Sequence, residues 1–330
     1  MVVLLLYVDD IILTGNNEIL IRAVMSQLCT EFDMKDLGDL HYFLGLQIEY
    51  KQSGLFVHQT KYATKIIHKA KMFDAKPCTT PCHPHQKLLK SGSLPFSNPS
   101  HFRSIVGVLQ YLTFTRLDIA FAVNQVCQFM HHPLECHYMA VKRILRYLKG
   151  TLGYGITFQS GDLDLRAFSD ADWVGDPNDR RSTSGFVILL SSNPISWSSK
   201  KQHTVSRSST EAEYRAMAST TAKVVWINQL LHDLHVTTTY SPVLHCDNIS
   251  AMALATNPVL HSKAKHIEID CHFVRERVQD GFLELQFGSF AKQYAEQKGC
   301  AILFFLIIVT ISCLVYPSMT LREDDRLVID

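Results

Sequence analysis

The residues best suited to do chemistry are carboxylates, in two sets. Asp9 and Asp10 are adjacent and lie between the apolar runs VVLLLYV and IIL. Neighbouring negative charges repel unless a cation neutralises them, and a divalent metal is the usual solution. A plain acidic β-turn is the alternative, because Asp is common in turns. The second set is dispersed: Asp170, Glu213 and Asp247. The local patterns put Asp170 and Asp247 at the ends of two strands and Glu213 in the first turns of a long helix. Carboxylates carried by two strand ends and a covering helix can converge on one point and hold divalent metal. Asp172 and Glu211 read instead as solvent-facing charges, with Glu211 also suited to the positive end of a helix dipole. Ser206, Ser208 and Ser209 have no Gly-x-Ser-x-Gly frame, which excludes a hydrolase elbow. Cys78-x3-Cys82-His83-Pro84-His85 lacks a second ligand pair at zinc spacing, so no zinc is expected there.

The elements that must position these groups follow from periodicity. Residues 2–15 read as a hairpin with the acidic pair at its turn. Residues 18–32 read as a helix, 41–50 and 55–59 as strands, and 60–71 as a further helix. Pro, Ser and His crowd residues 75–99 without a period, marking a linker or long loop. Helical spacing returns at 102–112, 119–130 and 137–148, ending at Gly150. Beyond residue 161 come strands at 163–168, 185–190 and 194–197, then a long helix at 208–234. A strand at 243–246, a short helix from 250, a helix at 265–278 and a strand at 282–287 complete the pattern. Three strands, a helix, a strand, helices and a fifth strand describe an α/β domain with a five-stranded mixed sheet.

Composition narrows the function classes. The 330 residues allow about two domains, and 32 Lys+Arg against 31 Asp+Glu leave a formal net charge of +1. No global basic field is present, so nucleic-acid binding has to come from local patches. Nine cysteines without regular spacing do not form a secreted disulfide framework and fit an intracellular compartment, cytoplasmic or nuclear. Residues 300–316 are uncharged, at the short limit for a membrane-spanning helix. Membrane association is not expected from them, and read-through of sequence no longer in its original frame accounts for the segment.

Several blocks in order carry a resemblance. Tyr7-Val8-Asp9-Asp10 is followed by LGDLHYFLG at 37–45, TRLDIAFAV at 115–123 and AVKRILRYLKG at 140–150. Next come RAFSDADW at 166–173, RSTSGF at 181–186, ISWSSKKQ at 195–202, SRSSTEAEY at 206–214 and LHCDN at 244–248. Together they resemble the C-terminal part of the Pol polyprotein of copia-type LTR retrotransposons, truncated at the N-terminus. The resemblance implies an α+β remnant of a reverse-transcriptase palm and thumb over 1–74, a linker over 75–100 and a helical connection over 101–160. It further implies an RNase H-like α/β domain over 161–296 and an unmatched tail over 297–330.

By that resemblance Asp9 and Asp10 are two of the three metal-binding carboxylates of the polymerase palm. The third and the fingers belong to segments before Met1, so DNA polymerase activity is not expected from this chain alone, and other Pol chains are the expected source of the missing palm. Asp170, Glu213 and Asp247 are implied ligands of two Mg²⁺, with Mn²⁺ as a substitute, in a nuclease that cuts the RNA strand of RNA–DNA hybrids. The fourth ligand is implied at Glu296, where the family carries Asp. Glu268 and Asp270 are expected to face the surface or the hybrid. Lys142, Arg143, Arg146 and Lys149 fall on one helix as a basic stripe able to track phosphates, or as an ordinary solvated face. Arg180, Arg181, Trp197, Lys200 and Lys201 are candidates for contacting the hybrid, DNA or RNA. The competing reading is a catalytically dead nucleic-acid-binding remnant.

Overall fold

The computed structural model describes residues 2–8, 10–52, 54–83, 87–257, 267–288 and 326–329. It opens with β1 (Val2–Tyr7) and β2 (Asp10–Gly15), an antiparallel hairpin that closes on Tyr7 opposite Asp10. Asn17 caps α1 (Glu18–Glu31) by accepting from Leu20 N–H at 3.1 Å. After β3 (Met34–Asp36), the expected strand at 41–50 divides into β4 (Tyr42–Phe43) and β5 (Leu46–Lys51). The break falls at Leu44 and Gly45, both with positive φ. β6 (Gly54–His58) and α2 (Thr60–Lys69) follow.

Three helices fill the next stretch: α3 (Pro99–Leu112), α4 (Ala120–Cys127) and α5 (Glu135–Gly150). With α2 they bury Phe102, Ile105, Leu109, Val141, Ile144 and Leu148 in one apolar cluster. The first part of the stretch read as a linker is packed. Residues 76–83 lie along α5, where the Cys78 thiol meets the Arg143 carbonyl and Arg146 reaches the Lys76 carbonyl.

Residues 155–159, expected to belong to the helical connection, form β7 (Gly155–Gln159), which pairs antiparallel with β6. Gly54 is required at this joint, because a Cβ there would stand 1.9 Å from the Phe158 carbonyl oxygen. Ile156 and Phe158 alternate inward, but five residues give a weak period and the partner strand is about a hundred residues away, so no local signal reveals the pairing.

The last domain begins with β8 (Leu165–Asp172), β9 (Thr183–Leu190) and β10 (Asn193–Lys201), continues through α6 (Ser209–Asp233), β11 (Val243–Cys246), α7 (Ile249–Thr256) and α8 (Glu268–Gln279), and ends with β12 (Glu284–Phe287). The five-stranded sheet has the order β10-β9-β8-β11-β12, antiparallel across the first three strands and parallel from β8 through β12. This is the mixed sheet anticipated from the element pattern. One face buries Leu165, Ala167, Ile188 and Leu244 under α6, α7 and α8. The other face, through Val187 and Trp197, packs against Ile48, Val57 and Phe158 of the β4-β5-β6-β7 sheet. A short strand β13 (Arg326–Ile329) pairs by its backbone between β2 and β3.

Candidate metal centre

Parallel register brings the two aspartates together. β8 and β11 run side by side with Phe168 opposite His245, whose rings stack at 4.5 Å between centroids. Asp170 and Asp247 each come two residues later, so they lie side by side, Asp247 just past β11 and Asp170 two residues before β8 ends at Asp172. The spacing of neighbouring strands, about 4.8 Å, sets their separation.

Glu213 arrives from above. Ser208 accepts from Glu211 N–H at 3.1 Å, and the Glu211 carboxylate accepts from Arg207 N–H at 3.0 Å. This reciprocal cap fixes where α6 starts. Glu211 also binds Arg215 at 2.8 Å, so it serves the helix terminus and is buried rather than solvent-facing. Glu213 follows one half-turn on and points at the end of β8, where Oε1 accepts from Ala171 N–H at 3.1 Å.

One oxygen from each of Asp170, Glu213 and Asp247 lies within 4.8 Å of the others. Glu213 is only 7% exposed, yet its Oε2 is buried without a hydrogen-bond partner. An unpaired buried carboxylate oxygen is costly, and a cation is the partner its chemistry calls for. Burial, with the charge of Asp170 second, pushes Glu213 up to about 8. Burial, followed by the charge of Asp247, pushes Asp170 up to about 6. Three oxygen donors of like charge, one orphaned, fit a hard divalent cation such as Mg²⁺ or Mn²⁺.

Other candidates separate into groups. Asp172 lies outside the cluster, half-exposed and paired with Lys87 at 3.2 Å. Asp270 is partly buried, and burial raises its pKa, while Glu268 is exposed. Asp9 and Glu296 lie outside the described residues, as does the segment 300–316. Among the described residues no group of three metal-ligating side chains forms at the β1–β2 tip, where Asp10 is half-buried, and no helix is long and apolar enough to cross a membrane.

The basic candidates are redistributed. Trp197 is not a nucleic-acid contact: it is 3% exposed, and its indole N–H donates to the Thr113 carbonyl at 3.1 Å. Alternation along β10 directs it to the face that packs on the smaller sheet. Lys201 is held between Asp176 and Asp179. The α5 stripe grips the preceding segment: Arg143 donates to Thr80 and His83, Arg146 to the Lys76 carbonyl, and Lys149 to the Phe73 and Ala75 carbonyls. Lys142 stands over the Tyr138 ring. Arg181 lies near Asp179, and Arg180 and Lys200 are exposed. Lys200 pairs with Ser184, which pairs with Ala171, so its backbone lies two strands, ~10 Å, from the site.

One aromatic carries no role in the sequence reading, although it stands in the same block as Asp170. Trp173 is 47% exposed, and its indole N–H is anchored to the Ser206 carbonyl at 3.1 Å. Ser206 binds Gln202, which binds Ser184 and the Ala212 carbonyl. The ring is thus fixed by a buried polar network joining β9, β10 and α6. An apolar residue at a strand end with solvent on one side was the available signal.

Residues 1–84 match the family model described as reverse transcriptase (RNA-dependent DNA polymerase). The chain is 48% identical over 296 residues to the retrovirus-related Pol polyprotein from transposon RE1 of Arabidopsis thaliana, covering 89% of this chain and 20% of the relative. It is 31% identical to a putative transposon Ty5-1 protein of Saccharomyces cerevisiae, covering 66% of this chain and 72% of that protein. A solved foamy viral protease-reverse transcriptase bound to double-stranded DNA matches at 11% identity and a TM-score of 0.47, over 88% of this chain and 46% of the other. The chain belongs to the copia-type, retrovirus-related Pol proteins of transposons. It spans about a fifth of the length of the RE1 polyprotein.

Proposed function

We propose that residues 161–296 form a metal-dependent nuclease of the RNase H type that cleaves the RNA strand of RNA–DNA hybrids. The observation that carries this reading is the orphaned, buried Glu213 oxygen inside a three-carboxylate cluster. Asp170, Glu213 and Asp247 would hold two Mg²⁺, with Mn²⁺ as a substitute and Glu296 as a fourth ligand. When bound, the metals supply activation of the attacking water and stabilisation of the leaving 3′-oxygen. The chain's own part is preorganisation. The Ala171 N–H holds one Glu213 oxygen and leaves the other directed into the site. Parallel pairing of β8 and β11 fixes the two aspartates without side-chain rearrangement.

Substrate contacts are assigned to the exposed groups beside the centre. Trp173 offers a rigid face for a base or sugar, and Lys200 and Arg180 offer charge to phosphates. Asp9 and Asp10 are assigned as two of the polymerase palm's metal-binding carboxylates.

The test uses the purified chain and an end-labelled RNA–DNA hybrid in Mg²⁺. Endonucleolytic cleavage of the RNA that disappears in Asp170→Asn is expected. No cleavage by the wild type, or equal cleavage by the variant, overturns the proposal. Salt-sensitive hybrid binding without cleavage selects a non-catalytic nucleic-acid-binding protein instead.

A further inference from the structure

The helical region holds a cavity of about 390 Å³ that the proposed nuclease does not use. Met72, Phe121 and Val126 supply apolar wall, Gln125 one amide, and Arg143 and Arg146 one charged side. This volume lies within the range of small-ligand pockets, on the order of 300–1,000 Å³.

The charged side is unusual in what it lacks. Lys142, Arg143 and Arg146, which line it, have only neutral partners: a phenol ring, a hydroxyl, an imidazole and a backbone carbonyl. Among the described residues none of the three forms an ion pair with a carboxylate. Neutral dipoles orient these cations without cancelling their charge, so a positive potential remains at the mouth of the cavity. Arg143 also keeps a buried Nε without a partner. The Gln125 side chain, which lines the cavity, makes no hydrogen bond among the described residues. It therefore has a donor and an acceptor available.

A matching ligand needs a compact anion, a mostly apolar body and an edge able to pair with an amide. We infer that this cavity binds a nucleoside phosphate, with the base against Met72 and Phe121, the Gln125 amide on the base edge and the phosphate at Arg146 and Lys142. The nucleotide is either free or borne at the end of a single strand. Arg146 is the principal phosphate donor, because only its Nε is engaged, with the Lys76 carbonyl. Guanidinium forks suit phosphate oxygens in this way.

The experiment titrates the full chain with AMP, adenosine and inorganic phosphate by calorimetry in EDTA, which keeps it independent of the carboxylate centre and of any nuclease activity. AMP is expected to saturate, with adenosine and phosphate each at least about tenfold weaker, a difference of about 1.4 kcal/mol. Arg146→Gln should weaken AMP about tenfold, as loss of a charged hydrogen bond does. Because Arg146 also holds the Lys76 carbonyl, a second variant guards against misfolding. Met139, 60% exposed on the rim, becomes Trp to narrow the cavity, and this should also weaken AMP. Lys65→Gln, on an exposed face of α2 away from the lining, should leave binding unchanged. A short single-stranded oligonucleotide that binds more tightly than AMP, with the same sensitivity to both variants, assigns the site to a strand-borne nucleotide; tighter AMP binding assigns it to the free one. Failure of both ligands to bind, inorganic phosphate binding as tightly as AMP, or indifference to Met139→Trp overturns the inference.

Discussion

Two parts of the five-stranded sheet put their side chains to opposite uses. Across β9 and β10, Val187 and Trp197 are buried against the smaller sheet, and the Trp197 indole N–H is satisfied by the Thr113 carbonyl. At the ends of β8 and β11, Asp170 and Asp247 are crowded with a buried Glu213 that keeps an unsatisfied oxygen, and Trp173 stands half-exposed. The first region lowers the free energy of the fold. The second raises it, because carboxylates are crowded together and Glu213 among them is held out of water. The contrast teaches that the same secondary-structure frame can carry stability in one region and chemistry in another, and that the cost of the second is the mark of a ligand site.

Substitutions can break this contrast, beginning with the largest effect. Asp170→Asn should lower hybrid cleavage by more than about 100-fold, since even outer-shell partners of metal sites are worth 10–100-fold. Its thermal midpoint should not fall, because one repelling charge is removed; steady-state cleavage assays and calorimetry read the two separately. Trp197→Ala should do the converse. It should cost about 3–5 kcal/mol in denaturant unfolding, as deletion of a core aromatic does, while the folded fraction keeps its affinity for hybrid.

The pH response sharpens the contrast. Burial holds Asp170 at about 6 and Glu213 at about 8, above ordinary carboxylate values. The folded, metal-free chain therefore retains protons that the unfolded chain has released. This contribution is fully present below about pH 4, where unfolded carboxylates are protonated, and is lost as pH rises through 6 and 8. Melting curves in EDTA should shift downward over that window. Added Mg²⁺ or Mn²⁺ should restore stability, and more at pH 8 than at pH 5. Glu213→Gln should flatten the pH dependence and weaken the metal response.

Trp173→Ala is the smallest change. Stacking of a base on an aromatic ring is worth about 1–3 kcal/mol, so KM for hybrid should rise by roughly fivefold or more, with kcat less affected. Intrinsic fluorescence checks it independently: quenching on hybrid binding in Ca²⁺ should vanish in Trp173→Phe. A Trp173→Ala enzyme with unchanged KM would restrict the functional end of the sheet to its carboxylates.

Much of this was legible before the fold was known. Period-two and period-3.6 patterns marked the sheet strands and α6, whose expected start at 208 falls one residue before the observed Ser209. The placing of Asp170 and Asp247 toward the same edge of the sheet and of Glu213 early in α6 followed from those boundaries, although β8 runs on past Asp170 to Asp172. Other features were hidden. Strand β7 finds its partner about a hundred residues earlier, so five residues alone cannot announce it. The α5 cations looked like a free stripe because sequence shows charge but not the carbonyls of residues 73–76 that they grip. Trp197 beside two lysines looked like a nucleic-acid handle, yet alternation along β10 turns it inward while Lys200 faces water.

By itself the sequence determined which residue types were available and most of the short stretches that are helix or strand. Those properties depend on residues within one or two turns of each other. Tertiary structure alone decided that three carboxylates separated by up to 77 positions share one 4.8 Å neighbourhood, that one oxygen is left without a partner, and that Trp173 faces solvent while Trp197 does not. Burial and convergence are set by register and packing between distant segments, and neither leaves a local imprint on the chain.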